Sequence, residues 1–238
     1  MTEAIPFVFP VALWAHVAAG TVALIGGVIA MSARKGGKHH RVAGQAYFQA
    51  MAVVAVTAVV MAIMRSGPFL LLVGVFSFYL AFTGLRAVKN KPPENPARII
   101  DWGGAVAMLV GAVGLMVFAF TAAASDFMPV ALTFAGIGGF FAVLDLYRFL
   151  KPADDPIGWR ILHMIRMLSA YIATLTAFAV VNLKFLPTFV PWLLPTVLGS
   201  VGITFWVRHE RMRFAARASQ APAAQPCADL PLAVEKDP

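Results

Sequence analysis

The sequence predicts an all-α, polytopic membrane protein: a bundle of seven transmembrane helices, with the N-terminus outside and the C-terminus in the cytoplasm. Three observations carry this. Of 238 residues, 60% are hydrophobic and only 13% charged, whereas a soluble domain is nearer a quarter charged. The apolar residues fall into runs of about 20, long enough to cross a hydrocarbon core of ~30 Å. Inside lipid such runs must pair their own backbone groups, hence helices. The basic residues collect in alternate connections between the runs, as the positive-inside bias requires. The alternating strands of about ten residues that a membrane barrel needs are not evident.

The first run covers about residues 8–31. Its positive charges, Arg34 and Lys35, follow it, and Glu3 precedes it. A cleaved signal peptide has the reverse polarity, so this run is expected to be a retained helix. Gly36-Gly37 offers a left-handed stop. The second run is 46–64, with its helix expected to begin near His40. Runs three to seven are expected at about 68–88, 102–124, 129–149, 160–182 and 188–207. The connections around RSG and ASDF are short, so runs two and three, four and five, and six and seven read as helical hairpins. Residues 1–214 thus form the membrane domain. Residues 215–238 are Ala/Pro-rich and polar, and are expected to be a disordered cytoplasmic tail. The lone Cys227 lies in that tail and makes no cysteine-based metal site.

One set of connections is strongly basic. SARKGGKHHR carries Arg34, Lys35, Lys38 and Arg41, and RAVKNKPPENPAR carries Arg86, Lys89, Lys91 and Arg98. YRFLKPADDPIGWR carries Arg148, Lys151 and Arg160, and the tail opens RHERMRFAAR. The other set holds only Arg65 and Lys184, with Asp126 as its acidic member. The net charge of +8 therefore sets orientation in a lipid bilayer, and nucleic acid is excluded as a partner. Small residues mark packing faces: His16, Gly20, Ala23 and Gly27 on the first span, and Gly103, Ala107 and Gly111 on the fourth.

Ionisable groups inside a membrane are costly, so each is a candidate for function. His16 lies in the first span, outward of the midplane. Asp145 sits about a turn inside the fifth span and Arg166 at similar depth in the sixth, which makes them an expected ion pair. His40, Gly44, Tyr47 and Met51 share one face of the second span. Trp159, His163, Arg166, Ala170 and Thr174 share one side of the sixth, with Met167 and Tyr171 beside it. Both stripes start at the same end of the bundle, so His40 and His163 are expected to converge. At ~1.5 Å per residue, His16 lies roughly 20 Å from His163 along the membrane normal. Its expected partner is a hydroxyl on a neighbouring helix. Met51, Met61, Met64 and Met167 suit packing.

Two stretches resemble a known family. RKGGKHHRVAGQAYFQAM contains Lys35-Gly36, His40-Arg41, Gly44, Tyr47 and Met51. It resembles the signature of a bacterial family of predicted multi-pass membrane proteins of unassigned function. WRILHMIRMLSAYIATLTAFAVVN resembles that family's second signature, and His16 matches its usual first-helix histidine. The resemblance spans the membrane portion and supplies no activity. It implies a bacterial inner-membrane protein in which His16, His40, Arg41, Tyr47, His163 and Met167 are the positions of interest.

Three chemistries suit these residues. Haem could be held between histidines, or between a histidine and a methionine, at matched depth; the pairs are His40 with His163, or His16 with Met61. A divalent metal could be held by His40, His163 and Asp145, with an open position for water in a hydrolase acting on a lipid-like substrate. A transporter could use the hydroxyls Ser77, Tyr79, Thr83, Tyr171, Thr174 and Thr176, with Pro191 and Pro195 opening the seventh span. Arg41, Tyr47, Arg166 and Met167 complete the candidate ligand set for a metal or small ligand. No nucleophile–base pair, phosphate loop or dinucleotide fingerprint is apparent, so enzyme, carrier and accessory roles all stay open.

Overall fold

The structure is a computed structural model. It describes residues 5–65, 67–90, 96–121, 127–152 and 154–220. Among them are seven helices and no strand: α1 (Ile5–Ser32), α2 (Lys38–Arg65), α3 (Pro68–Lys89), α4 (Ile99–Thr121), α5 (Met128–Leu150), α6 (Gly158–Asn182) and α7 (Phe189–Gln220). All seven are long and apolar enough to cross a membrane, so the chain is a multi-pass membrane protein. Every expected span is present. Lys91, the connection at Ser125 and Asp126, and the tail beyond Gln220 with Cys227 lie outside the described residues.

Local chemistry explains the ends. Gly36 takes a positive φ of 75°, which only glycine adopts without cost, and it turns the chain from α1 into α2. Pro68 and Pro129 occupy the first turns of α3 and α5, where a missing N–H costs nothing. Asp101 accepts the backbone N–H of Arg98 at 2.8 Å, closing the first turn of α4 from within.

Helices α3 and α6 form the centre. α3 packs on α2, α4, α5 and α6, and α6 packs on α1, α3 and α7. Lipid is as apolar as leucine, so close packing rather than hydrophobicity joins the helices. Two glycines show how close. A Cβ on Gly27 would stand 2.3 Å from the Tyr171 ring, and one on Gly84 would stand 2.7 Å from the Met167 sulfur. At the end away from the basic connections, Phe69, Phe118, Phe127, Phe134 and Trp192 interlock, with ring centres 5.3–6.2 Å apart. This aromatic knot fastens the ends of α3, α4, α5 and α7.

Two expectations are corrected. Gly103 and Ala107 face outward; the packed face of α4 is Asp101, Ala105, Met108, Ala112, Leu115 and Ala119, with Gly111 beside it. The helix of α7 also runs through 215–220, six residues into the stretch expected to be disordered. Just before this stretch, Glu210 meets Arg160 of α6 at 2.8 Å, and Arg211 meets Asp155 of the α5–α6 connection at 3.3 Å.

Candidate functional site

The basic end of the bundle brings His40 and His163 together. Their ring centres are 6.3 Å apart and their planes cross at 78°. His40 stands in the first turn of α2, and its Nδ1 donates to Ala30 O at 2.8 Å. His163 stands in the second turn of α6, and its Nδ1 donates to Gly84 O at 2.7 Å. A carbonyl can only accept, so both Nδ1 atoms carry the proton. In each neutral ring Nε2 is then the lone-pair nitrogen. Lys35 works beside them: its Nζ donates to Met31 O, helping to cap α1, and lies 5.0 Å over the Trp206 ring.

Gly84 is the residue that seats His163. Its carbonyl takes the Nδ1 proton, and its missing side chain makes room for Met167, one turn along α6. Nothing in the sequence pattern singled it out. On α2, a Cβ at Gly44 would meet no atom within 4 Å, so open space lies one turn along from His40. Arg41 is exposed. Tyr47 is buried in the core at 2% exposure. Thr174 sends its own proton back to Ala170 O, so the Tyr47 hydroxyl donates to Thr174 Oγ1, at 3.3 Å.

A second polar cluster lies between α3, α5 and α6. Asp145 Oδ1 accepts from Arg166 Nη2 at 2.6 Å, and Oδ2 accepts from the Tyr79 hydroxyl at 2.5 Å. Arg166 is fully buried. Nη2 also donates to Phe141 O at 3.2 Å, while Nε and Nη1 find no hydrogen bond. The Phe141 ring, 4.0 Å from the guanidinium carbon, covers it instead. Arg148 stands 3.9 Å from the same carboxylate oxygen. The expected Asp145–Arg166 ion pair is therefore present, with Tyr79 as a third member that sequence alone did not assign. Asp145 is committed to these donors and is not brought to the histidines. Among the described residues no group of three or more His, Cys, Asp or Glu is placed to hold a metal ion.

His16 stands apart, as its depth implied. Its Nδ1 meets Thr57 Oγ1 at 2.9 Å, and the Thr57 hydroxyl donates to Val53 O at 2.7 Å. The threonine therefore accepts from the imidazole. Thr57 is 17 residues along α2 from His40, about 25 Å at the helical rise.

A further network was missed. Arg86 on α3 holds Asp101 with two bonds, 2.6 and 2.8 Å, and Asn90 adds a third at 2.8 Å. Arg86 had read as an orientation charge. The available signal was Arg86 and Asn90 one turn apart, followed by a lone acid at the head of the next span. The opening of the seventh span expected at Pro191 and Pro195 is absent: α7 runs unbroken through both.

Neither a curated protein nor a solved structure matches the chain. A protein family described as "Predicted membrane protein (DUF2306)" matches residues 13–146. That stretch holds His16, His40, Tyr79 and Asp145 and stops short of α6, so His163 and Arg166 lie beyond it. The match takes in more than half of the chain, and the protein belongs to this family of membrane proteins of unknown function.

Proposed function

We propose that the protein is a b-type haem protein of the bacterial inner membrane, in which His40 and His163 would hold the haem iron near the cytoplasmic face. The observation that carries this is the geometry of the two imidazoles. Two lone-pair nitrogens accept; they do not attract an anion. A bare divalent ion asks for three or four protein ligands, and only two histidines meet here. Haem iron asks for two, because the macrocycle supplies the other four donors.

The separation agrees. Metal–nitrogen bonds of about 2 Å, plus about 1.1 Å from each nitrogen to its ring centre, place two imidazoles roughly 6.2 Å apart across one iron. The observed value is 6.3 Å. Both Nδ1 protons go to backbone carbonyls, the arrangement that fixes the tautomer of a ligating histidine. When bound, the group would supply one-electron chemistry. The chain itself would orient the histidines through Ala30 O and Gly84 O, with the basic residues Lys35 and Arg41 in the same segment as His40 to face the group's acidic edge. The alternating basic connections support the orientation, with this end in the cytoplasm.

The test is haem content and spectrum of the full-length protein purified in detergent. Equimolar protohaem is expected, with sharp reduced-state bands that disappear in His40→Ala and in His163→Ala and persist in His16→Ala. Protein free of haem after expression with haem precursor would refute the proposal. Stoichiometric copper or zinc in its place would assign the same nitrogens to a bare ion.

A further inference from the structure

On the outer side of the α1–α2 pair is a groove of about 480 Å³. Val22, Ile25, Gly26 and Ile29 form one wall, and Val42, Ala43 and Ala46 form the other. The floor is narrow because Gly26 lets the backbones touch: a Cβ there would be 3.4 Å from Ala43 O. Lys38 and His39 stand at the mouth, both exposed. From Lys38 to Ala46 the groove follows α2 for about 12 Å, the length of roughly nine methylenes.

We infer that this groove holds one anionic phospholipid, its phosphate on Lys38 and His39 and one acyl chain between α1 and α2. Charge complementarity selects this occupant. The segment from Ser32 to Arg41 holds Arg34, Lys35, Lys38 and Arg41 and no acidic residue. Lys38, His39 and Arg41 also crowd the first turn of α2 without an acid. Positive side chains at the positive end of a helix repel it, and an anion there relieves the repulsion. Basic residues at the headgroup level attract anionic lipid. Below them the walls offer only apolar side chains, which suit an acyl chain and reject a second polar group. The lipid seats on the outer face of the pair, so this inference stands apart from the His40–His163 reading.

Native mass spectrometry of the full-length protein tests it. The probes are dioleoyl phosphatidylglycerol, dioleoyl phosphatidylcholine and inorganic phosphate, each added to delipidated protein. One phosphatidylglycerol is expected to survive activation that strips phosphatidylcholine, and phosphate is expected not to displace it. Lys38→Gln with His39→Gln should erase the preference between headgroups. These side chains are exposed, so the variant folds. Ala46→Phe should fill the groove and release both lipids, with helix content checked by circular dichroism. Equal retention of the two lipids by the unaltered protein overturns the proposal. So does unchanged retention in the Lys38/His39 variant. Displacement by inorganic phosphate would mean that the site recognises phosphate alone, and overturns it too.

Discussion

Replacing Asp145 by asparagine should destabilise the protein by about 3–5 kcal/mol, the cost of leaving a buried charge without its partner. The structure says why the value should be high. Arg166 is fully buried, and Asp145 is its only carboxylate among the described residues. With asparagine in place, the guanidinium keeps one acceptor, Phe141 O, and gains a neutral amide. Its Nε and Nη1 already lack hydrogen bonds, so no reserve of contacts can absorb the change. Arg148, 3.9 Å from the carboxylate, becomes a repelling neighbour once the negative charge is gone. Arg166→Gln should cost less, because Tyr79 and Arg148 still serve the carboxylate. The double variant should recover about 1–3 kcal/mol of the summed losses, as residues in one network do. The assay is denaturant unfolding of all four proteins in one detergent, followed by tryptophan fluorescence. Strictly additive losses would refute the reasoning, since they would mean that Asp145 and Arg166 do not stabilise each other.

Gly27→Ala should cost about 1–3 kcal/mol through overpacking against the Tyr171 ring, 2.3 Å from the new atom; Gly20→Ala, with nothing within 4 Å, should be neutral in the same thermal unfolding series. Thr57→Val should lower stability by about 0.6–1.7 kcal/mol by removing the acceptor of His16, with no change in the haem content proposed for His40 and His163. Asp101→Asn should cost about 1–3 kcal/mol, less than Asp145→Asn, because its partner Arg86 is partly exposed whereas Arg166 is fully buried; unfolding in parallel checks the order. A reporter fused after Arg217 should report cytoplasm, and one inserted at Ser125 should report periplasm; a cytoplasmic signal at Ser125 would reverse the orientation.

The spans were legible because crossing lipid demands length and apolar composition, and both are written in the sequence. The histidine pair was legible because two stripes, His40 to Met51 and Trp159 to Thr174, enter the bundle from the same end. The ion pair followed from equal depth on consecutive spans. The packed face of α4 was not legible, because in a membrane the faces toward lipid and toward protein are both apolar. Gly103, Ala107 and Gly111 repeat every four residues, yet the first two face out. Tyr79 was one of six hydroxyls with nothing in the sequence to rank it; only the placement of α3 against α5 gives it Asp145. The α7 extension read as polar tail from composition. Its alanines and Arg217 are good helix formers, and the Glu210–Arg160 pair just before it needs the fold to bring it about.

Electron paramagnetic resonance of the ferric, detergent-purified protein tests the central claim most directly, because it reads the mutual orientation of the two imidazoles proposed to hold the iron. His40 and His163 cross at 78°. Two imidazoles nearly perpendicular across one low-spin iron give a strongly anisotropic spectrum with one widely displaced g value, and that is the predicted signal, absent from both His40→Ala and His163→Ala. A high-spin signal, a rhombic spectrum of parallel imidazoles, or a low-spin signal that survives His163→Ala would contradict the account.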